Sequence, residues 1–111
     1  MSLVDRNIID YLYFEENKII LGISDHLPWS ADAIAAHWEI LQDKLKDYIT
    51  FIYSGQLKEK YPDNDKTPCI KIFFSEPWDK VVEKYLNKLR DYYNELGNEL
   101  IWVYDPVKIE E

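Results

Sequence analysis

The sequence predicts a two-layer α+β fold, in which two helices cover one face of a four-stranded mixed sheet in the order β-β-α-β-α-β. Four short runs rich in Ile, Leu, Val and aromatic residues are typical of strands. Two longer segments repeat apolar residues at helical spacing, and a single sheet face can bury both of their apolar stripes. A length of 111 residues favours one domain over residues 1–111.

The first two strands are predicted to form an antiparallel hairpin. Residues 8–14 and 18–24 are apolar runs, and the polar Glu15-Glu16-Asn17 between them is short enough for a tight turn. Gly22 interrupts the second run, which indicates either a bulge or a close approach by another backbone.

A helix is predicted over residues 31–53, with residues 56–60 as a further turn. Ser30 is a suitable N-cap, and Asp32 then places a negative charge in the first turn. Gly55 suits the position just past the helix end. The apolar residues that recur at helical spacing are Ile34, Trp38, Leu41, Leu45, Tyr48, Ile49 and Ile52.

The C-terminal half continues with a strand, a helix and a strand. Residues 68–75 form the third predicted strand, and Pro77 suits the first position of a helix that ends at Gly97. Residues 100–104 form the fourth strand. Right-handed crossovers would make the last three strands parallel, so that all three end at one edge of the sheet.

The strand-to-helix corners at this edge resemble each other, since each has Ser, an acid and then Pro-Trp. The similarity fits either the ordinary requirements of a helix start or a shared ligand-binding corner. Ligands of open α/β sheets bind outside the carboxyl ends of the strands. The candidate binding residues are therefore Asp25, His26, Trp29, Glu76, Trp78 and Asp105, with Asp5 and Asn7 at the same edge.

Two kinds of ligand fit this edge. The carboxylates and His26 carry the oxygen and imidazole groups that metals bind, but the two histidines lie 11 positions apart and form no metal-binding motif. A solvated acidic rim is the alternative. Trp29 and Trp78 could wall a cleft for a small ligand. The sequence identifies no particular metal and no cofactor.

His37 is predicted to lie at the margin of the apolar stripe, packing its ring and leaving one nitrogen to water. A catalytic role requires a carboxylate or a nucleophile nearby, and the positions one helical turn away are apolar. Asp25 and His26 are a possible acid–base pair, although neighbours along a strand point apart. Motifs of hydrolases, phosphate loops and dinucleotide sites are lacking, so the sequence favours a non-enzymatic role.

Composition argues against several partners. The chain has 21 acids, 13 bases and a net charge of −8, and Lys58, Lys60 and Lys66 are scattered among acids, so no basic surface for nucleic acid is expected. No apolar stretch approaches the roughly 20 residues of a membrane span, and no signal peptide is recognised. The single Cys69 lies in an apolar run typical of an unreactive thiol. A cytoplasmic protein is expected.

The aromatic residues exceed what two helices can cover. Both faces of the predicted sheet carry apolar side chains, and a face without helices is either covered within the monomer or used as an interaction patch. The expected partner is a second copy, as in a homodimer, or another protein. The candidate interface residues are Tyr11, Tyr13, Phe73 and Trp102.

The segment Ser24-Asp25-His26-Leu27, Trp29 and residues 41–45 and 48–56 resemble a family of small bacterial proteins of unknown function. The resemblance covers about a third of the chain. It implies a bacterial, cytoplasmic, stand-alone domain, and it implies no activity, cofactor or catalytic residue.

The favoured function is a non-enzymatic acidic binding or interaction domain. An immunity- or antitoxin-like protein that masks a basic partner is its concrete form, motivated by the net charge and the aromatic surface. The alternative is a small-ligand- or cation-binding domain, enzymatic or not, that uses the acidic edge.

Overall fold

A computed structural model describes residues 9–62 and 65–106, and it confirms the α+β class with a four-stranded mixed sheet. The segment after the first helix is a separate short helix, so the order of elements is β-β-α-α-β-α-β. No helix in this part of the chain combines the length and the apolar character needed to cross a membrane. The elements are β1 (Tyr11–Glu15), β2 (Lys18–Asp25), α1 (Ile34–Tyr53), α2 (Gln56–Lys60), β3 (Thr67–Phe74), α3 (Lys80–Glu95) and β4 (Glu99–Tyr104).

The strands lie in the order β1-β2-β3-β4. β1 pairs antiparallel with β2, whereas β2, β3 and β4 are parallel to one another. The last three strands therefore end together, as predicted, at Asp25, Phe74 and Tyr104, and this side of the sheet is here called the carboxyl edge. The predicted edge residues Asp5 and Asn7 lie outside the described residues.

Alternation along the strands gives the sheet two unlike faces. On the covered face, α1 and α3 share one hydrophobic core with the sheet, in which every side chain is at most 7% exposed. The opposite face, here called the open face, is formed by the alternate strand residues. The core residues are Leu21, Ile23, Leu41, Leu45, Tyr48, Ile70, Ile72, Phe74, Val82, Leu86, Tyr93 and Leu100.

The start of α1 differs from its prediction. The helix begins at Ile34 rather than at residue 31, and its first residue has no side-chain cap. Ser30 does not act as the N-cap, because its hydroxyl donates to Asp32 at 2.9 Å while its carbonyl accepts from Ala33. The residues between Ser30 and Ile34 form a turn that directs the helix over the sheet.

The start of α3 also lies later than predicted. This helix begins at Lys80, three residues after Pro77, because Asp79 accepts a hydrogen bond from the N–H of Val82 at 3.0 Å and so caps it. Its end agrees with the prediction, since Gly97 follows the helix with a φ of 89° in the left-handed region.

Gly22 marks neither of the two predicted features, a bulge or a close approach by another backbone, but a close approach by two side chains. A Cβ at this position would lie 3.0 Å from the Cβ of Tyr11 and from the ring of Phe73. Those two side chains come from the strands on either side of β2, and their rings meet edge to face with centroids 5.7 Å apart. The absent side chain lets the two aromatic rings touch across the open face.

Candidate functional site at the carboxyl edge and the open face

Asp25 and His26 point to opposite faces, so the predicted edge site is divided in two. The side chain of Asp25 faces the helices and is fully buried. His26 is exposed and forms hydrogen bonds with Ser24 and Ser75, which lie on the open-face side of β2 and β3. Each of the two neighbours therefore has its own partners.

On the covered side, Asp25 is paired with His37. Asp25 Oδ2 lies 2.7 Å from His37 Nε2, and Oδ1 accepts from the N–H of Leu27 at 3.0 Å. His37 Nδ1 lies 2.8 Å from the carbonyl oxygen of Pro28. Since a carbonyl only accepts, Nδ1 carries a proton and donates it to Pro28. The expectation that His37 leaves one nitrogen to water is wrong.

Sequence reasoning missed this pair because the partner of His37 lies on a strand, 12 residues upstream, instead of one helical turn away. The corner between β2 and α1 turns back, so that the first turn of α1 lies over the end of β2. The sequence feature that could have indicated a contact with His37 is Trp29, in the corner between β2 and α1. Trp29 stacks on the His37 ring, with centroids 3.5 Å apart and planes inclined by 19°. The pair therefore joins α1 to the carboxyl edge.

A second buried ion pair lies at the same edge. Lys44 Nζ is 3.3 Å from Asp10 Oδ1, and both side chains are at most 1% exposed. Asp10 Oδ2 accepts from the N–H of Ser24 at 3.0 Å, where β1 has not yet begun. The N–H of Asp10 donates to Tyr48, whose hydroxyl donates to the Gly22 carbonyl. The apolar stripe that predicted α1 did not reveal its buried lysine.

The two predicted tryptophans meet through Phe74 in the core. The centroid of the Phe74 ring lies 5.8 Å from that of Trp29 and 5.0 Å from that of Trp78. Trp78 also contacts Tyr104 and donates its indole N–H to Glu83. The indole nitrogen of Trp29 is buried and has no hydrogen-bond partner among the described residues. The two tryptophans that were predicted to line a cleft are therefore connected through the side chain of Phe74.

Glu76 and Asp105 are not brought to His26 as metal ligands. Glu76 is exposed, and the N–H of Asp105 donates to the carbonyl of Phe74 at 2.7 Å, which extends the pairing of β3 with β4. Within residues 9–62 and 65–106, no three His, Cys, Asp or Glu side chains form a group that could hold a metal ion. The carboxylates of this edge are divided between buried pairs and more exposed positions.

On the open-face side, His26 links the ends of β2 and β3. Its Nε2 lies 2.8 Å from Ser24 Oγ, and its Nδ1 lies 3.1 Å from Ser75 Oγ. Ser75 Oγ donates to the carbonyl of Asp25 at 3.2 Å, so it must accept from Nδ1–H. Nε2 is then left to accept from the Ser24 hydroxyl. The hydrogen bonds thus run in one direction from Ser24 through His26 to Ser75.

Three of the four predicted interface residues lie together on the open face. Tyr11 and Tyr13 are 36% and 37% exposed, and Phe73 is partly exposed beside them. Trp102 is separate from these three, because it lies on the covered face, packed against the core and beneath the guanidinium of Arg90. Side chains alternate between the two faces along β4, and this alternation places Trp102 on the same face as the core residue Leu100.

The open face is balanced in charge although the chain carries −8. Lys18 and Lys71 offset Glu15 and Glu99 on alternate strand positions. Lys18 Nζ lies 2.7 Å from Glu99, and this hydrogen bond raises the pKa of Lys18 above its ordinary value. Cys69 is fully buried among these groups, and its burial raises the thiol pKa to about 11. The thiol is therefore protonated at neutral pH.

Comparison with known proteins gives a family without an activity. A family of unknown function, DUF6572, matches residues 1–105. No curated protein and no solved structure matches the chain. The predicted resemblance to a family of unknown function is confirmed, and the bacterial origin that it implies stays a prediction.

Proposed function

We propose that this chain, which belongs to the DUF6572 family, is a non-enzymatic cytoplasmic domain that binds a protein partner on its open face. The observation that supports this proposal is the exposed aromatic group of Tyr11, Tyr13 and Phe73 on a sheet face that neither α1 nor α3 covers. Aromatic residues at partly exposed positions are enriched in protein interfaces, where they supply much of the binding energy.

The charges of the chain favour a basic partner. The open face is neutral in sum, so an apolar contact at its centre removes no unbalanced charge from water. The chain as a whole has a charge of −8, which attracts a basic protein over long range and speeds its association. An immunity- or antitoxin-like role, in which the domain masks a basic partner, is the concrete form of the proposal.

The test compares the same substitution on two surfaces. Tyr13→Lys places a charge on the open face, and Tyr92→Lys does so on α3, where Tyr92 is 58% exposed. Tagged wild-type and variant chains are used to isolate partners from the native cells, and the affinity of each purified partner is measured by calorimetry. We expect Tyr13→Lys to weaken binding at least about tenfold and Tyr92→Lys to leave it within about twofold.

The opposite outcome contradicts the proposal. A partner that is bound equally by wild type and Tyr13→Lys, but is lost with Tyr92→Lys, would place the binding surface on the helices. Increasing salt should also slow association with a basic partner, because it screens the attraction. An association rate that is independent of salt argues against the acidic surface as the source of selectivity.

A second candidate function is the binding of a small ligand at the carboxyl edge, with or without proton transfer. The observation that favours it is the directed series of hydrogen bonds through His26, since a histidine that accepts from a serine hydroxyl is an arrangement used for proton transfer. Ser24 is only 3% exposed, so a ligand would contact His26 first.

A panel of metabolites and metal ions in a thermal-shift assay tests this second candidate. A compound that raises the melting temperature of wild type but not of His26→Ala supports it. The matched control is His37→Gln, which alters the buried histidine of the covered side while leaving His26 in place. A panel without any stabilising compound, or stabilisation that survives in His26→Ala, contradicts it.

A further inference from the structure

The outer edge of β4 is a run of uncharged residues. β4 occupies one end of the strand order and pairs with β3 in the described sheet. Between Glu99 and Asp105 its sequence is Leu-Ile-Trp-Val-Tyr. Edge strands of soluble proteins usually carry a charge, a proline or a bulge that prevents further pairing. Residues 100–104 contain no charge and no proline between Glu99 and Asp105, whereas the uncharged run of the opposite edge strand, β1, is one residue shorter and lies between Asp10 and Glu15.

The hydrogen bonds to β3 determine which backbone groups face outward. The N–H of Asp105 donates to the carbonyl of Phe74, so the backbone of Asp105 faces β3. Because the direction of these groups alternates along a strand, Leu100, Trp102 and Tyr104 direct their N–H and C=O groups away from β3. Within residues 9–62 and 65–106, no hydrogen bond outside the strand ladder involves these three backbones.

We propose that β4 pairs antiparallel with β4 of a second copy of the chain, which joins the two sheets into one sheet of eight strands. A two-fold axis at Trp102 sets this residue opposite its own copy and sets Leu100 opposite Tyr104 of the partner subunit. In this register, each of the three outward-facing backbones exchanges two hydrogen bonds. A shift by two residues in either direction leaves one of the three without a partner, so the symmetric register is the best paired.

The side chains along this register are also self-complementary. On the covered side, Trp102 would pair with its copy and Leu100 with the partner's Tyr104. On the open side, Ile101 would meet Val103 of the partner subunit. Apolar and aromatic cross-strand pairs of this kind each stabilise a sheet by about 0.2–1 kcal/mol. No charge falls inside the paired run, which is why a second copy fits this edge better than a charged partner does.

The response to salt concentration distinguishes this interface from the proposed binding of a partner on the open face. Each chain carries a charge of −8, so two copies repel each other. Screening of this repulsion should strengthen the dimer as salt increases. A complex with a basic partner is expected to weaken under the same change. The two interfaces use different residues, so this inference does not depend on the proposed function.

The test is the mass in solution of the whole chain and of two variants, measured by light scattering over a range of concentrations. In about 1 M salt, we expect wild type to approach twice 13.3 kDa as concentration increases. Tyr104→Pro removes an N–H that faces away from β3, and proline is tolerated at such edge positions. This variant should weaken the dimer at least about tenfold. Tyr104→Val, which keeps the N–H, is the matched control and should still dimerise.

Three outcomes overturn the inference: a wild-type chain that is monomeric at all concentrations, a Tyr104→Pro chain that dimerises as wild type does, and a dimer that Tyr13→Lys abolishes. The last result would place the contact on the open face instead. If Tyr104→Pro does not fold, amide hydrogen exchange of wild type replaces it. The N–H groups of Leu100, Trp102 and Tyr104 should then become protected as concentration rises, and unchanged exchange overturns the inference.

Discussion

Both faces of the sheet carry apolar side chains, but the covered face carries more of them and buries them more completely. On the covered face, Leu21, Ile23 and Ile72 are completely buried. On the open face, Tyr11 and Tyr13 keep more than a third of their surface in water. Removal of apolar surface from water stabilises a fold by about 25 cal/mol per Å². The covered face therefore supplies most of the stability, and the aromatic residues of the open face contribute less to it.

The polar residues of the carboxyl edge follow the same division. On the covered side, the ion pairs Asp25–His37 and Asp10–Lys44 are buried and join α1 to the edge of the sheet. On the open side, His26 is exposed. A buried pair need not stabilise a fold relative to apolar residues, but loss of one member leaves the other without compensation. Sensitivity to substitution should therefore differ sharply between neighbouring positions.

The largest effect is expected for Asp25→Ala. This change leaves the His37 ring and the N–H of Leu27 without their acceptor, where Asp25 is 0% and His37 2% exposed. We expect a loss of about 3–5 kcal/mol in the free energy of unfolding, measured by urea denaturation.

The control is the adjacent residue on the other face. His26→Ala removes hydrogen bonds that are partly exposed, and it should cost no more than about 1.5 kcal/mol. Equal losses for the two variants would show that the covered and open sides of the carboxyl edge contribute equally to the free energy of unfolding.

The sequence predicts the sheet better than it predicts this edge. Alternation and short connections predict the hairpin, the parallel strands and the common edge, because these depend on local pattern and chain handedness. The pairing of His37 with Asp25 depends on the path of the turn between Ser30 and Ile34, which no periodicity reveals. Helix starts are uncertain for the same reason, since Ser30 and Asp79 are both suitable caps and only Asp79 serves as one.

An intermediate effect is expected at alkaline pH. Cys69 lies on the open side of β3 and is nevertheless fully buried, and its burial raises the thiol pKa from 9.0 to about 11. The folded pKa lies above the unfolded one, so this stability is fully present below about pH 9 and is lost as pH rises toward 11. We expect a decrease of about 2–3 kcal/mol in the free energy of unfolding over that interval.

Urea denaturation at a series of pH values measures this decrease, and Cys69→Ala is the comparison. The variant has no thiol to ionise, so its free energy of unfolding should decline less steeply over the same interval. Tyr48 should contribute to the remaining slope, because burial also raises its pKa. If the free energy of unfolding declines with the same slope in wild type and in Cys69→Ala, ionisation of Cys69 does not contribute to the decline. The thiol would then not be buried on the open side of β3.

The smallest effect is expected for Tyr13→Lys, and it decides how the open face is understood. A lysine on this edge strand can keep its charge in water, so we expect a change of less than about 1 kcal/mol in the free energy of unfolding. The same substitution at Tyr93, which is 7% exposed in the core, should destabilise the chain much more. If Tyr13→Lys instead costs as much as Tyr93→Lys, the open face belongs to the stabilising core of the monomer. Its aromatic residues would then be explained by folding alone, and the proposed partner would lose its physical basis.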